Sequence, residues 1–347
     1  MLVAGCASTS TGPEEVISSP PAMTGETSSL NWTAPNAVST SPVFRSTARP
    51  RPVPPVTTWT SLHRWTADNQ IGEPRLLSRA PVAAYAVRTS GGTLVLDIGS
   101  REVTWNGVEV QLGFAPQFID DQVFVHGLDL QKNLEPLLLG PPLSFGNRAI
   151  VIDPGHGGAN VGTHSVVDGR FEKEFTLDWA LRLAPLLEKE GWQVFLTRTS
   201  DVDVALSNRV QFAEAHQADV FVSLHFNSSP DRDRQIAGLE TYCLTPAGMP
   251  SSLTRDYADI WTQYFPNNAF DAENLQLALR LHAALLRATG EEDRGVRRAR
   301  FIGVLHGQRH PAVLIEGGYL SNPREAKLIA TPEFRQKLAE AVASALK

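Results

Sequence analysis

The segment Ala149–Gly158 reads AIVIDPGHGG, in which a short apolar run leads directly into a polar, glycine-rich loop. Similar apolar runs follow along the chain, at Gln193–Leu196, Val220–Leu224, Leu239–Cys243, Phe301–Leu305 and Ala312–Ile315. Between them lie amphipathic stretches with helical periodicity, at Glu172–Glu190, Asn274–Thr289 and Glu333–Leu346. Alternation of buried strands with amphipathic helices is typical of α/β domains. Residues 146–347 are therefore predicted to form a mostly parallel sheet that is covered by helices.

The residues before this region have two other compositions. Within residues 58–145, short alternating runs separated by the turn pairs Gly91-Gly92 and Asn106-Gly107 predict a small β-rich domain. Residues 1–57 are rich in Pro, Ser and Thr and have few large apolar side chains, so they cannot bury a core. We expect this first segment to be a disordered tether.

The overall composition excludes several classes of protein. The chain has 347 residues, of which 42% are hydrophobic and 20% charged, and it has no apolar run long enough to span a bilayer. Its net charge of -6 and the lack of dense Lys and Arg clusters argue against nucleic acid as a partner. The two cysteines, Cys6 and Cys243, have very different surroundings, so neither a disulfide framework nor a thiolate zinc site is expected. A bound metal would have to use His and carboxylate ligands.

The first residues, Met1-Leu2-Val3-Ala4-Gly5-Cys6, resemble a bacterial lipobox, in which the cysteine becomes the lipidated first residue of the mature protein. The basic region and most of the apolar stretch of an export signal are missing, so we expect either that the true start codon lies further upstream or that the sequence has been trimmed. The alternative is chance, because small residues are common at disordered N-termini. The pattern predicts an exported protein of the periplasm or cell envelope, attached to the membrane only through a lipid on Cys6.

Polar residues with metal-binding or acid–base chemistry follow the apolar strands. The first strand leads to His156, the strand at Val220–Leu224 leads to His225, and the last strand leads to Glu316. Glu172 opens the first helix after a loop. Because ligands bind at the carboxyl ends of strands in open α/β sheets, these four side chains are expected to meet at one edge of the sheet.

Two imidazoles and one carboxylate form a three-ligand set suited to zinc, which leaves one coordination position for water. Such a site is hydrolytic, because zinc lowers the pKa of bound water toward roughly 7 and polarises the carbonyl that is to be cleaved. A carboxylate outside the ligand set can accept and return the proton. His156, Glu172 and His225 are the candidate ligands, and Glu316 is the candidate acid and base. Asn227 follows the second histidine closely enough to orient water or substrate, although it could equally be an ordinary turn-forming residue.

Four motifs together resemble the zinc-dependent N-acetylmuramoyl-L-alanine amidases. They are Ile150–Gly158, Glu172–Leu177, Val222–Asn227 and Pro311–Asn322, supported by Leu196-Thr197-Arg198 and Arg294-Gly295-Val296. The match covers residues 148–347, and agreement in order, spacing and flanking residues makes it specific. The resemblance implies that His156, Glu172 and His225 bind one zinc ion and that Glu316 is the catalytic carboxylate. It also implies hydrolysis of the amide bond between N-acetylmuramic acid and L-alanine in peptidoglycan. An activator protein is a further candidate partner.

The segments Val103–Val110 and Phe118–Val125 give residues 80–139 a shorter resemblance, to the small domain named for the N-terminus of copper amine oxidases. It offers no copper site, so a structural or wall-binding role is expected. Within the larger match, Asn160-Val161-Gly162 stands where the family often has Asp-Pro-Gly, which alters a loop but removes no ligand. The stretch Leu244–Glu273, which includes Asp256 and Trp261, lies where some relatives have an occluding helix. We hypothesise that it gates the site, so that deletion of residues 256–265 raises basal activity.

Other interpretations of the same residues stay open. A lone His or Glu near a strand end is usually a capping or surface residue, and only the combination favours catalysis. The nearest rivals as ligands are Glu174 and His164, whereas a structural or solvent-facing role is expected for His282, His306 and His310. The competing enzyme is a zinc peptidase or carboxypeptidase that cuts another cell-wall bond. The alternative from another class is a catalytically inactive peptidoglycan-binding module.

Overall fold

The computed structural model describes residues 58–229, 234–253 and 259–347. The expected tether with Cys6, and Asp256 of the proposed gating segment, therefore lie outside the described residues. Within the described ranges, no helix is long and apolar enough to cross a membrane.

Residues 58–145 are β-rich, as the alternating pattern predicts. The strands are β1 (Trp59–Ser61), β2 (Arg75–Ser78), β3 (Ala84–Thr89), β4 (Gly92–Asp97), β5 (Glu102–Trp105), β6 (Val108–Gln111), β7 (Gln117–Ile119) and β8 (Gln122–His126). The helical elements are α1 (Leu62–Asp68), α2 (Gly127–Asp129), a π-helical turn (Leu130–Leu134) and α3 (Glu135–Leu138). The two predicted hairpins are present, joining β3 to β4 and β5 to β6. Asn106 and Gly107 both have positive φ, as the tightest hairpin turns require.

The predicted α/β region contains six strands that form one side of a large sheet. They are β9 (Ala149–Pro154), β10 (Gln193–Leu196), β11 (Val220–Asn227), β12 (Leu239–Cys243), β13 (Asp293–Arg298) and β14 (Ala312–Tyr319). Their order across the sheet is β10-β9-β11-β14-β12-β13. Strands β10, β9, β11 and β14 are parallel to one another, whereas β12 is antiparallel to β14. The prediction of a mostly parallel sheet is confirmed.

Helices cover both faces of this sheet. They are α4 (Glu172–Lys189), α5 (Leu206–Ala215), α6 (Asp271–Thr289), α7 (Gly303–His306), α8 (Pro323–Ala330) and α9 (Pro332–Ala345), with a 3-10 helix at Pro266–Phe270. Successive residues of β9 alternate between two apolar clusters. Ile150 and Ile152 join the cluster that contains the apolar faces of α4, α6 and α9, while Val151 joins the cluster beneath α5 and α7. Burial on both faces explains why the strand is apolar throughout.

In the α/β region, one strand prediction is wrong and one strand was not predicted. The apolar run Phe301–Leu305 forms no strand, because residues from Gly303 onward form α7. Periodicity alone cannot distinguish so short an apolar run from a turn of buried helix. Strand β13 escaped prediction because its sequence, DRGVRR, is mostly charged. Its charges are paired inside the protein, as Arg294 is with Glu240 at 3.1 Å.

Strand β6 joins the β-rich residues to the α/β sheet. It pairs in parallel with β13 through Val110 and Val296, so that β6-β5-β4-β3-β2 extend the sheet to eleven strands, while β1, β8 and β7 form a separate sheet. The backbone N–H of Glu109 donates to Asp293 at 2.9 Å, and Arg297 pairs with Glu109 at 3.4 Å. A single sheet therefore spans the predicted boundary between residues 58–145 and 146–347. The division into two domains stays a prediction.

The direction of β12 decides where the proposed gating segment begins. Glu240, near the start of β12, pairs with Glu316 on β14. Because the two strands are antiparallel, Cys243 at the end of β12 lies toward the opposite edge of the sheet. The following segment makes contacts there, since the side chain of Asn267 donates to the carbonyl of His310, just before β14, at 2.9 Å. The described part of this segment therefore contacts the sheet at the edge opposite Glu316, and this contact does not support the gating hypothesis.

Candidate metal centre

The loop after β9 holds His156 in a conformation that two buried arginines stabilise. His156 has a φ of +63°, which is uncommon for a residue with a Cβ. Arg198 donates to the carbonyls of Pro154 and Gly155 at 3.0 and 2.9 Å. Arg209 donates to the carbonyls of Pro154 and His156 at 3.0 and 2.7 Å. The protein itself therefore fixes the backbone of this loop.

Asp153, near the end of β9, anchors one of these arginines. Its carboxylate pairs with Arg209 at 2.5 Å and accepts hydrogen bonds from the hydroxyls of Thr197 and Ser223 at 2.5 and 2.7 Å. Burial alone would raise the pKa of Asp153, but Arg209 and the two hydroxyls outweigh burial and hold the pKa below its ordinary value. An ionised, buried carboxylate thus supports the loop that carries His156.

Glu172 brings the three candidate ligands together. It is the first residue of α4 and is 1% exposed. Its Oε1 atom lies 3.0 Å from Nε2 of His156 and 3.0 Å from Nδ1 of His225. The ligand atoms of the three residues all lie within 4.8 Å of one another. The side chains that the sequence singles out as metal ligands therefore converge on one point.

Neighbouring groups orient these ligands. Nδ1 of His156 is 2.8 Å from the side-chain oxygen of Asn160, which can only accept, so Nδ1 carries a proton. In the neutral ring the lone pair is then on Nε2, the atom that faces Glu172. Glu172 is held at both oxygens, since the N–H of Phe226 donates to Oε1 at 3.1 Å and the N–H of Thr163 to Oε2 at 3.0 Å. Such outer partners fix the direction of metal ligands.

The electrostatics of the cluster favour an ionised carboxylate. Burial would raise the pKa of Glu172, but the charges and hydrogen bonds of the two histidines outweigh burial and hold the pKa well below its ordinary value. Burial lowers the pKa of His225. Burial also acts to lower the pKa of His156, but the attraction and hydrogen bonds of Glu172 outweigh it and raise the pKa. Ionised carboxylates and neutral imidazoles are the forms that bind metal cations.

Glycines provide the space around the ligands. A Cβ on Gly162 would lie 2.5 Å from Oε2 of Glu172 and 2.8 Å from Cδ2 of His156. A Cβ on Gly155 would overlap the ring of His225. Two nitrogens and one carboxylate oxygen, oriented by outer partners and kept clear of side chains, fit a zinc ion.

Glu316 lies beside this cluster, paired with His225 across β14 and β11. It is 1% exposed, and within the described residues its Oε2 atom has no hydrogen-bond partner. Burial raises the pKa of Glu316 well above its ordinary value, and the charges of Glu172 and Glu240 add to that effect. Buried carboxyl oxygens without a partner are rare, and they are enriched at functional sites.

Asn227, the candidate for orienting water or substrate, has both ends of its amide bonded to the protein. Its Nδ2 donates to Glu240 at 2.8 Å, and its Oδ1 accepts from the N–H of Ser228 at 2.7 Å. These contacts are structural. A contact between Asn227 and substrate stays a prediction.

The remaining candidates lie apart from the cluster. Glu174 caps the start of α4, and His164 lies on the exposed surface. His282 and His306 are bonded to other protein groups, and His310 is buried. Across the described ranges, none of these five residues belongs to a group that could hold a metal ion.

Sequence reasoning did not single out Arg209, Asn160 or Glu240. Asn160 gives a usable signal, because it follows His156 by four residues in a tight loop from which an amide can reach back. Arg209 and Glu240 come from a helix and a strand far away in the chain. No local pattern connects them with the ligands.

The fold and this site define a class of protein. Two imidazoles and an ionised carboxylate at the strand ends of an α/β sheet, with a second carboxyl group beside them, are the parts of a metal-dependent hydrolase. The family model of N-acetylmuramoyl-L-alanine amidases, Amidase_3, matches residues 150–347. The chain belongs to this family, whose members are generally zinc-dependent.

Relatives of the chain carry the same description. It is 30% identical to the N-acetylmuramoyl-L-alanine amidase AmiC of Escherichia coli over 300 residues, which cover 79% of this chain and 68% of AmiC. It is 28% identical to AmiA of Escherichia coli over 221 residues, 58% of this chain and 75% of AmiA. The solved structure of AmiC2 from Nostoc punctiforme is 31% identical, covers 58% of this chain and 97% of that chain, and has a TM-score of 0.48. The predicted enzyme class, an N-acetylmuramoyl-L-alanine amidase that acts on peptidoglycan, is confirmed by the family match and by the similarity to AmiC.

Proposed function

We propose that this chain cuts the amide bond between N-acetylmuramic acid and L-alanine with one zinc ion held by His156, Glu172 and His225. The observation that carries the proposal is the convergence of these three ligand atoms, within 4.8 Å of one another, inside the region that the family model matches. The pKa of Glu172, lowered by the two histidines against the effect of burial, supports it, because the carboxylate is then ready to bind a cation.

The zinc ion and Glu316 would have different roles in the hydrolysis. Zinc bound at these ligands would lower the pKa of a water molecule toward roughly 7 and polarise the carbonyl that is cleaved. Glu316, buried beside the ligands with one unpaired oxygen, accepts a proton from the attacking water. The same carboxyl group returns the proton to the nitrogen of L-alanine as the carbon–nitrogen bond breaks. The products are a free carboxylate on the lactyl group and an intact stem peptide with a free amine.

Glu316→Ala tests this division of roles. We expect the variant to bind about one zinc ion per chain and to lose turnover by about a thousandfold or more, because the ligand set survives without its proton carrier. Metal analysis gives the zinc content, and release of new amino groups from purified peptidoglycan gives the turnover. His225→Ala is the comparison, since it should lose zinc and turnover together. Retained turnover in Glu316→Ala would remove Glu316 from the mechanism.

The alternatives differ in their products. An amidase releases stem peptides that begin with a free L-alanine amine, whereas a zinc peptidase or carboxypeptidase shortens the stem or opens a cross-link. Mass spectrometry of the soluble products therefore distinguishes the two enzymes. An inactive peptidoglycan-binding module would give neither product, with or without a chelator.

The location and the attachment of the enzyme are proposed from sequence. Because its substrate is the cell wall, the enzyme would act in the periplasm or cell envelope, with residues 1–57 as the tether and Cys6 as the lipid anchor. Residues 58–145 would support the catalytic residues 146–347 or contact the wall, and an activator protein stays a predicted partner. Mass spectrometry of the native N-terminus tests the anchor, because an unmodified Cys6 would exclude it.

A further inference from the structure

The strand that carries Glu316 is irregular directly after it. His225 pairs with Glu316, and Asn227 pairs with Tyr319, so β14 has one residue more than β11 over this interval. The extra residue lies at Gly317-Gly318, where the second glycine has a φ of +124°. A bulge of this kind bends its strand and redirects nearby side chains. The direction of Glu316 therefore depends on what fixes the two strands beyond the bulge.

Glu240 bridges the two strands at that point. Its Oε2 atom accepts hydrogen bonds from Nδ2 of Asn227 at 2.8 Å and from the hydroxyl of Tyr319 at 3.0 Å. A third donor to this oxygen is the hydroxyl of Tyr242, at 2.9 Å, which lies on the same strand as Glu240. The other oxygen, Oε1, accepts from Nε of Arg294 at 3.1 Å. One carboxylate thus joins β11 to β14 on the far side of the bulge.

This network is buried, and its members are hydrogen-bonded to one another. Glu240, Tyr242 and Tyr319 are each 1% exposed, and Asn227 is 5% exposed. Within the described residues, Oε2 of Glu316 has no hydrogen-bond partner, so no bond at that atom fixes its direction. The position of the β14 backbone contributes to that direction. The network can therefore act on Glu316 through that backbone.

We propose that Glu240 is a positioning residue for the amidase reaction, which holds Asn227 and Tyr319 beyond the bulge so that Glu316 faces the metal ligands. The inference rests on the proposed role of Glu316. Glu240, whose two carboxylate oxygens both accept hydrogen bonds from the protein, would thereby align Glu316, which carries the proton. A displacement of about 1 Å in a catalytic group can lower a rate by about a hundredfold, so small movements at the bulge suffice.

Two tyrosines give a matched test on the full, zinc-loaded protein. Tyr319→Phe and Tyr242→Phe each remove one buried hydroxyl that donates to the same oxygen of Glu240, but only Tyr319 lies on β14 beyond the bulge. We expect Tyr319→Phe to lower kcat by about tenfold with KM unchanged, and Tyr242→Phe to keep kcat within about twofold. Both variants should retain the zinc content of the wild type and show similar decreases in Tm. Should Tyr319→Phe fail to fold, Asn227→Ala removes the donor on β11 and takes its place.

Each outcome decides the proposal. Equal kcat losses in the two tyrosine variants, or no loss in either, overturn the positioning role. Loss of zinc from Tyr319→Phe also overturns it, because the network would then support the metal ligands rather than Glu316. Glu316→Ala, measured beside them, is independent of this comparison: retained turnover in that variant defeats the proposed function whatever the tyrosines do.

Discussion

Gly162 offers a way to displace the metal ligands without replacing any of them. It has a φ of +72°, and a Cβ there would lie 2.5 Å from Oε2 of Glu172 and 2.8 Å from Cδ2 of His156. Gly169, in the same loop, also has a φ of +72°, but a Cβ there would meet nothing within 4 Å. Gly162→Ala and Gly169→Ala should therefore destabilise the backbone equally, but only the methyl group of Gly162→Ala would clash with the ligands.

The structure gives the size of both effects. The shared cost is about 1 kcal/mol of unfolding free energy, because a left-handed conformation suits glycine and strains alanine. In Gly162→Ala, the oxygen of Glu172 must also retreat by about 1 Å to reach ordinary van der Waals separation from the new methyl group. Ligand distances in a metal site tolerate deviations of only about 0.2 Å. We therefore expect zinc affinity to fall by about 10- to 100-fold in Gly162→Ala and to stay unchanged in Gly169→Ala.

Zinc titration in a competing chelator measures the affinity, and thermal unfolding of the metal-free proteins measures the backbone cost. Turnover at saturating zinc should recover in part for Gly162→Ala, because mass action refills a weakened site. If the two alanine variants bind zinc equally well and turn over equally fast, the assignment of Glu172 and His156 as crowded metal ligands is wrong. A lower Tm in both variants, with no other difference from the wild type, would reflect only the strain of alanine in a left-handed backbone conformation.

Two predictions concern buried polar residues that are not metal ligands. Arg209→Leu leaves Asp153 without its ion-pair partner and should lower the free energy of unfolding by about 3–5 kcal/mol in urea unfolding; adding Asp153→Asn should recover part of that loss, and no recovery would contradict the ion-pair argument. Burial lowers the pKa of His310 to about 4 from 6.5, so between those values only the unfolded chain takes up a proton. Its contribution is fully present above pH 6.5 and is lost as the pH falls toward 4, by about 2 kcal/mol between pH 7 and pH 5. His310→Gln should lose correspondingly less stability than the wild type over that interval, whereas equal losses would assign the acid sensitivity to other groups.

The sequence predicted those parts of the fold in which local pattern and tertiary packing agree. The segment Ala149–Gly158 has an apolar run that is buried on both faces and a loop that ends the strand, so its pattern predicted a buried strand without ambiguity. The helix from Glu172 was predicted for the same reason, because its apolar residues at helical spacing face the core. The convergence of His156 and His225 followed from the rule that parallel strands share one edge.

The parts that escaped prediction depend on partners far away in the sequence. Strand β13 reads as a charged loop. Its arginines are acceptable in a sheet because Glu240 and Glu109, from two other strands, pair with Arg294 and Arg297, and because Arg298 donates to Leu244 and Asn133. The support of His156 by Arg209 likewise depends on a helix that begins about 50 residues later. Asn160 was noted only as a departure from the family pattern, although its side chain orients the first histidine. Long-range pairing of polar groups leaves no periodic signal in a single sequence.

The pairing of β6 with β13 has a consequence for any shortened version of the enzyme. A chain that began at residue 146 would keep every candidate ligand but would lose the strand that covers the backbone of Val296 and the amide partner of Asp293. Exposed strand edges recruit strands from other molecules. We expect such a fragment to self-associate at that uncovered flank, so the smaller piece would be harder to keep in solution than the longer chain, even with its chemistry intact.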